Sequence, residues 1–449
     1  TLGDKEGSSL HQETVDFYNK YYSSNIMKVA LISNLPIADM EQKAQKYFAD
    51  IKNKNIEKPS VTANLDFDKA GGKRVFYSPN EDVKQLKLDF TITNNSDEFA
   101  VKPNRFVSYL LSNEMPGSPA QLLRDKGWVS QLGASASPTQ YANYGALTVD
   151  IELTDLGMQN REAIVAVVMQ YIDLIKKEGV NSKYFNEIRT SLNNQFKFLE
   201  KGDEFNYVSA LTGSMQVYPL NHTINAPYHY AKFDADAVND VLNQLNADSL
   251  RIWYISQQEE TDSQLYFYDG KYRINDISDD EIASWNKPSE FKLALPSVNN
   301  LLPESFAIKT AEFKEQKHPE LVFDKQGVKV WRQASQKFAE QPKGLVEVYI
   351  NTQPGLNDIS AEVLYSVWAD LYNIQQSQLS TEAAVAGMGV RLAPSNGLVL
   401  SLNGFTDKQD VLLKQALSGL NVKATSQAFE QAIDRYTRDL LNQQKQFPY

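Results

Sequence analysis

The 449-residue chain contains no cysteine. That removes disulfides, thiolate nucleophiles and cysteine-ligated zinc from its chemistry without naming a compartment. Histidine is nearly as scarce, with four residues at positions 11, 222, 229 and 318, so imidazole catalysis has little material to work with. No apolar run approaches the ~18 residues a membrane-crossing helix needs, and no membrane partner is expected. Positive charge is also short: 45 basic residues against 56 acidic ones leave a net −11. Such a surface repels phosphate backbones, so nucleic acid is not an expected partner. Hydrophobic residues make up 42% of the chain, enough for more than one core and for about two to four domains.

A duplicated order of elements is the strongest positive signal. An alternating strand (Leu86, Leu88, Phe90, Ile92) precedes a helical stretch through Phe106–Leu111 and a second strand (Leu147, Val149, Ile151, Leu153) that ends at Thr154-Asp155. About 250 residues later the strand Val346, Val348, Ile350 precedes the helical stretch Val363–Leu371 and the strand Leu398, Leu400, Leu402, which ends at Thr406-Asp407. A helix follows in both copies, and Phe185 and Phe429 occupy corresponding places beyond it. Tandem related domains are the expectation, with segments opening near Arg74 and Val328 superposing. Helices laid on one face of a mainly antiparallel sheet give an α+β sandwich.

Around these copies the pattern predicts a buried strand over Ile26–Ile32, a helix with Met40, Ala44, Tyr47 and Phe48 on one face, and a polar boundary over Lys52–Asn64. A helix bearing Val238, Val241, Leu242 and Leu245 runs into the apolar strand Ile252–Ile255. Prolines at 288, 296, 303 and 319 mark Asn286–Pro319 as an extended linker, because proline fixes φ and cannot donate to a ladder. Thr1 is no initiator, and the pattern of Phe429, Ile433, Tyr436 and Leu440 runs almost to Tyr449. The chain therefore reads as a central fragment of a longer protein.

The most unusual local sequence is Ser112-Asn113-Glu114-Met115-Pro116-Gly117-Ser118-Pro119. Ser118 as N-cap, Pro119 at the first helical position and Gly127 past the end define a short helix over Ala120–Lys126. Trp128–Leu132 then enters Gly133-Ala134-Ser135-Ala136-Ser137, a strand-like run with almost no side chains. At a sheet edge such a run accepts a strand from a peptide through main-chain hydrogen bonds. As a tightly packed turn it would do nothing of the kind, and pattern alone leaves both readings open. Gly387-x-Gly389 lacks the further glycine of a dinucleotide fingerprint and reads as a turn.

Several separately placed motifs resemble one family. Tyr21-Tyr22-Ser23-Ser24-Asn25-Ile26-Met27, the segment from Glu114-Met115-Pro116-Gly117-Ser118 to Lys126-Gly127-Trp128, Leu295-Pro296 with Leu302-Pro303, and Asn403-Gly404-Phe405-Thr406-Asp407-Lys408-Gln409 are similar to the pitrilysin and insulin-degrading enzyme branch of the inverted zinc metallopeptidases. Arg251–Ser256 and Asp279–Trp285 resemble its bacterial members most. The resemblance implies four homologous α+β domains closing around a chamber. On it, residues 1–55 are the tail of the preceding catalytic domain, 56–292 the second domain, 293–318 the linker and 319–449 a truncated third domain. It also implies zinc in the parent enzyme, a periplasmic location, a peptide or small-protein substrate, and first and fourth domains of the same polypeptide as partners. The family's His-x-x-Glu-His signature is not present. His222 and His229 lie seven apart with Pro227 between them, so no catalytic residue and no bound zinc are assigned to this chain. In the resembling family the second domain anchors the substrate's N-terminal segment on a strand edge. The matching positions are Leu132, Gly133, Ala134 and Ser135, supported by Asn113 and Gly117.

Three functional classes remain open on sequence. One is the peptide-anchoring, non-catalytic centre of a zinc metalloendopeptidase. Another is a metal-free partner subunit or peptide-binding homologue of the same family. The third is an unrelated hydrolase built on paired carboxylates, for which no constellation stands out.

Overall fold

The computed structural model describes residues 7–61, 63, 67–141, 143–287, 290–308, 317–334, 339–351 and 358–445. The chain opens with α1 (Leu10–Tyr21), α2 (Ile37–Phe48) and the single turn α3 (Phe67–Ala70). The strand expected over Ile26–Ile32 is not there. Ser24–Ile26 is a 3-10 turn, and Met27, Val29, Leu31 and Ile32 are exposed on irregular backbone. An apolar run alone does not make a strand; a ladder partner is needed, and no strand pairs with this segment among the described residues.

Next come β1 (Lys73–Ser78), β2 (Lys84–Thr93), α4 (Pro103–Leu111), α5 (Pro119–Asp125), β3 (Val129–Tyr141) and β4 (Tyr144–Leu153). They are followed by α6 (Asp155–Gln159), α7 (Arg161–Leu174), α8 (Ser182–Lys197), α9 (Glu204–Val217), α10 (Ala235–Gln244), β5 (Leu250–Ser256), the hairpin β6 (Ser263–Gln264) and β7 (Lys271–Asp276), and α11 (Asp279–Trp285). The seven strands form one sheet in the order β3-β4-β2-β5-β1-β7-β6, antiparallel except where β1 runs parallel to β5. Alternation decides the faces. Leu86, Leu88, Phe90 and Ile92 of β2 and Leu147, Val149, Ile151 and Leu153 of β4 are buried under α4, α7, α8 and α10. The opposite face carries cross-strand ion pairs instead, Arg251 with Asp89 at 2.6 Å and Lys87 with Asp150 at 3.0 Å.

The remaining elements are the hairpin β8 (Glu320–Lys325) and β9 (Val328–Arg332), then β10 (Lys343–Ile350), α12 (Ile359–Gln375), α13 (Ser377–Val385), β11 (Met388–Pro394), β12 (Leu398–Phe405), α14 (Gln409–Ser418) and α15 (Ser426–Gln443). β12 lies between β10 and β11, as β4 lies between β2 and β3, and both central strands are antiparallel to both neighbours. The strand, two helices, hairpin and two helices thus recur in the same order. Gly127 after α5 and Gly387 after α13 repeat a finer detail, with φ +68° and +74° turning the chain into β3 and β11. The correspondence stops at the opening strands. β9 pairs only with β8 among the described residues, whereas β1 is integrated into its sheet. Over residues 290–308 the expected linker forms no helix or strand and turns at 300–301; Pro288 and residues 309–316 lie outside the described residues.

The two sheets are held together by buried polar contacts. Lys84, almost fully buried, bridges Asp155 at 2.7 Å and Asp434 of α15 at 3.0 Å, and Arg438 Nε donates to the same Asp434 at 3.0 Å. Burial opposes charge on Lys84 and on Asp434, yet their mutual hydrogen bonds win: the ammonium is raised above, and the carboxyl held below, its ordinary value. Asn442 exchanges two hydrogen bonds with the backbone of Asp82, both 2.9 Å. On the other side Ser191 Oγ donates to the Val385 carbonyl at 2.5 Å, and the Asn299 side chain donates to Glu382 at 2.7 Å.

Under α11 the Glu281 carboxyl is enclosed beside a second carboxyl, Glu162 of α7. Arg74 of β1 reaches Glu162 at 2.7 Å and Glu281 at 3.4 Å, and Tyr254 of β5 donates to Glu162 at 3.2 Å. Burial first, and the neighbouring Glu162 second among the raising causes, push Glu281 up to about 7 against the pull of Arg74.

Two expected outcomes follow. Gly127→Ala and Gly387→Ala each cost about 1–2 kcal/mol in urea unfolding because an L side chain is forced into the left-handed region. Gly387→Ala costs more, since its Cβ would lie 2.6 Å from the Phe405 ring while that of Gly127 meets only the end of Gln427. Glu281 binds its proton more tightly in the folded chain than in the unfolded one. Its stabilising contribution is therefore complete below 4.5 and lost as pH rises through about 7. Glu281→Gln should remove that loss, leaving the variant more stable than wild type above neutrality and not below 4.5, as read from thermal midpoints across pH.

Candidate peptide-binding edge

β3 is the outermost strand of the seven-stranded sheet. Leu132, Gly133, Ala134 and Ser135 pair in register with Ile151, Asp150, Val149 and Thr148 of β4. Among the described residues no other strand pairs with β3. A bulge between Val129 and Gln131 resets the alternation. Beyond it Leu132, Ala134 and Ala136 face the helices, where α4 and α5 lie across the strand, while Gly133 and Ser135 face the opposite surface. The small residues therefore have two separate causes. Ala134 and Ala136 let helices sit close. Gly133 meets nothing, since a Cβ there would find no atom within 4 Å. No charged residue stands anywhere between Val129 and Tyr141.

Asn113 and Gly117 take a different place. Asn113 is buried, and its Oδ1 accepts from the Met115 amide at 2.8 Å, closing a local turn. Gly117, at φ +91°, accepts from the Ala294 amide at 2.9 Å, and a Cβ there would sit 2.5 Å from the Ala294 Cβ. Between them Glu114 is paired with Arg124 and accepts from Thr381 Oγ1 of α13 at 3.0 Å. This loop fastens the linker and α13 to the first sheet. Its contacts are with its own chain and support the edge only indirectly.

The two close histidines do not make a zinc site. Their rings lie 4.7 Å apart at a tilt of 33°, His222 Nδ1 lies 3.1 Å from Asn225 Oδ1, and burial, His222 and Lys102 together lower the His229 pKa. Two imidazoles beside an ammonium, with no carboxylate ligand, are the wrong donor set for a divalent cation. Among the described residues no group of three or more His, Cys, Asp or Glu side chains is placed to hold a metal. Lys84 and Glu281, the two most telling charged groups of the fold, carry no sequence signature. Their partners lie 71 or more positions away, and only an apolar strand starting with a lysine hints at the first.

Comparison with known proteins agrees with this architecture. Residues 10–192 match the family description "Peptidase M16 inactive domain", and residues 196–449 match "Middle or third domain of peptidase_M16". The division falls within the last turn of α8, so β5, β6 and β7 of the first sheet belong to the second match. Protease 3 of Escherichia coli (strain K12) is 32% identical over 440 residues, covering 98% of this chain and 46% of that protein. Human insulin-degrading enzyme is 26% identical over 455 residues, covering 100% of this chain and 44% of that protein. A crystal structure of pitrilysin superposes with a TM-score of 0.77 at 31% identity, over 98% of this chain and 47% of that one. The chain spans about half the length of the curated relatives it matches, and with more than half of it matched by one family description it belongs to the peptidase M16 family.

Proposed function

We propose that this chain is the non-catalytic central part of a zinc metalloendopeptidase, forming part of a chamber wall and anchoring a peptide substrate by strand addition to β3. The reading rests on one observation above all, the unpaired, uncharged outer edge at Leu132–Ser135. An extended peptide laid along it gains main-chain hydrogen bonds whatever its sequence, and the open space at Gly133 admits its side chains. Affinity is modest, because each such bond contributes only ~0.5–1.5 kcal/mol net. Anchoring one end of a long peptide raises the local concentration of the rest, so a weak remote hold suffices to present it to a distant active site.

In this reading residues 56–292 are the second family domain and 319–449 the third, with the zinc, the general base and the groups that orient the scissile carbonyl supplied by other parts of the polypeptide. Periplasmic residence goes with the likeness to bacterial members. The chain itself is inactive. Stoichiometric zinc in the purified chain, with chelator-sensitive cleavage of an unstructured peptide, would overturn that part.

Adjacent residues of an antiparallel edge strand point their N–H groups alternately toward the partner strand and toward solvent. Of Ala134→Pro and Ser135→Pro, one therefore cuts a bond to β4 and lowers the thermal midpoint, and the other removes only an outward donor. The variant that keeps the wild-type midpoint should bind a fluorescent extended peptide about three- to ten-fold more weakly, the loss of one or two such bonds. Wild-type affinity in that variant would sink the edge assignment.

A further inference from the structure

The second sheet differs from the first at one place, and the difference has a definite shape. Consecutive strands joined by a short link usually pair with each other. In the first unit β1 and β2 do not, although only residues 79–83 separate them, because β5 lies between them, parallel to β1 and antiparallel to β2. β9 and β10 follow in the same order, joined through residues 333–342, and they do not pair either. Here no strand fills the place of β5: among the described residues β10 pairs only with β12, and β9 only with β8.

Burial marks the same gap from both flanks. Leu86, Leu88 and Phe90 of β2 are fully buried, whereas Val346, Val348 and Ile350 of β10, which pack on the second core, are only half-buried. The central strand is not the cause, since Leu400 and Leu402 of β12 are fully buried. The loss falls on the strand at the open edge. On the other flank Val75 and Phe76 of β1 are 6% and 7% exposed, while Val330 and Trp331 of β9 are 45% and 58% exposed. One strand with apolar side chains covers both sets in the first unit, where Leu250, Ile252 and Tyr254 of β5 are themselves fully buried. Along β10, every second N–H and C=O points away from β12 and is available to such a strand.

We infer that the open edge of β10 is a slot for one further strand, antiparallel to β10 and parallel to β9, supplied by the same polypeptide beyond α15. Direction identifies the source. A parallel partner needs a crossover of a dozen or more residues, so the chain next to β9 cannot provide it. β5 meets that requirement by following α8 and α10. α15 takes the place of α8 in the repeated order, with Phe429 for Phe185, and the strand is expected after it. With the slot filled, β9 and β10 lie about 9–10 Å apart, two inter-strand spacings. The inference rests on the reading of this chain as part of a longer polypeptide and not on strand addition at β3, so failure of peptide binding there leaves it standing.

The test compares hydrogen exchange over residues 343–350 in this chain and in the longer polypeptide. In the chain the β10 amides turned away from β12 exchange fast at every protein concentration. In the longer polypeptide the same amides slow by at least about a hundred-fold, because exchange then requires the added strand to leave. Iodide quenching gives a second readout. Trp331→Phe removes a quenchable component from the fluorescence of the chain, where Trp331 is exposed, and none from that of the longer polypeptide. Protection of β10 that grows with the concentration of the chain alone makes a second copy the occupant and overturns the inference. A longer polypeptide that cleaves peptides with zinc yet leaves these amides fast overturns it as well, while upholding the peptidase reading.

Discussion

The mutual placement of the two sheets depends on one buried ammonium. Lys84 opens β2, the strand that pairs with both β4 and β5, and from there it holds Asp155 at the start of α6 and Asp434 on α15. Burying a lysine is expensive unless its charge is matched, and two carboxylates from different elements match it here. Arg438 shares Asp434 and extends toward Glu152 at 4.0 Å, so the network ties β2, β4, α6 and α15 into one unit. A cavity of about 290 Å³, lined by Asp155, Gln159, Gln427, Glu430 and Arg435, lies beside it. The seam is thus polar and partly open where the core of each sheet is apolar and closed. Hydrophobic burial builds each unit; charge pairing and hydrogen bonds join them at this seam.

Much of this architecture was legible in the sequence because it is written in periods. Leu86, Leu88, Phe90 and Ile92 alternate because one face of β2 is dry, and Thr154-Asp155 punctuates β4 because Thr154 Oγ1 accepts from the Gly157 amide at 3.0 Å. The same logic failed at Ile26–Ile32. The apolar run there reports apolar surface but not what covers it, and Met27, Val29, Leu31 and Ile32 stay exposed. Gly387 gives the opposite case: a turn there is legible in the sequence, but only the φ value aligned with Gly127 turns it into evidence for the repeat.

The candidate edge was half legible. A run of small residues can be read from the sequence, yet whether it is an edge depends on sheet order, which brings β2, β4 and β5 together from three distant stretches. Asn113 and Gly117 are expected to support the edge through the loop they bracket, and the hydrogen-bond partners of that loop, Met115 and Ala294, could not be read from the sequence. Glu281 escaped altogether. Its electrostatic neighbours Glu162 and Arg74 lie more than a hundred residues away, and single-residue identity says nothing of such company.

How each sheet treats its edges bears on which edge is meant for use. An unpaired strand invites association, and proteins ordinarily shorten, charge or break such strands. The seven-stranded sheet follows this at one end, where β6 is only two residues long. The duplicated sheet follows it at β11, which carries the exposed Arg391 and closes on Pro394. β3 occupies the same place as β11 in the repeated order, yet it runs for thirteen residues without a charge, and its only proline, Pro138, lies beyond the Gly133–Ser137 run. Both copies inherit the same exposed position, and β3, bulged at Val129–Gln131 and carrying Pro138, lacks the charge that β11 has. An uncharged stretch over Gly133–Ser137 is what the proposed strand addition needs, because a peptide laid there meets main-chain groups and no fixed charge.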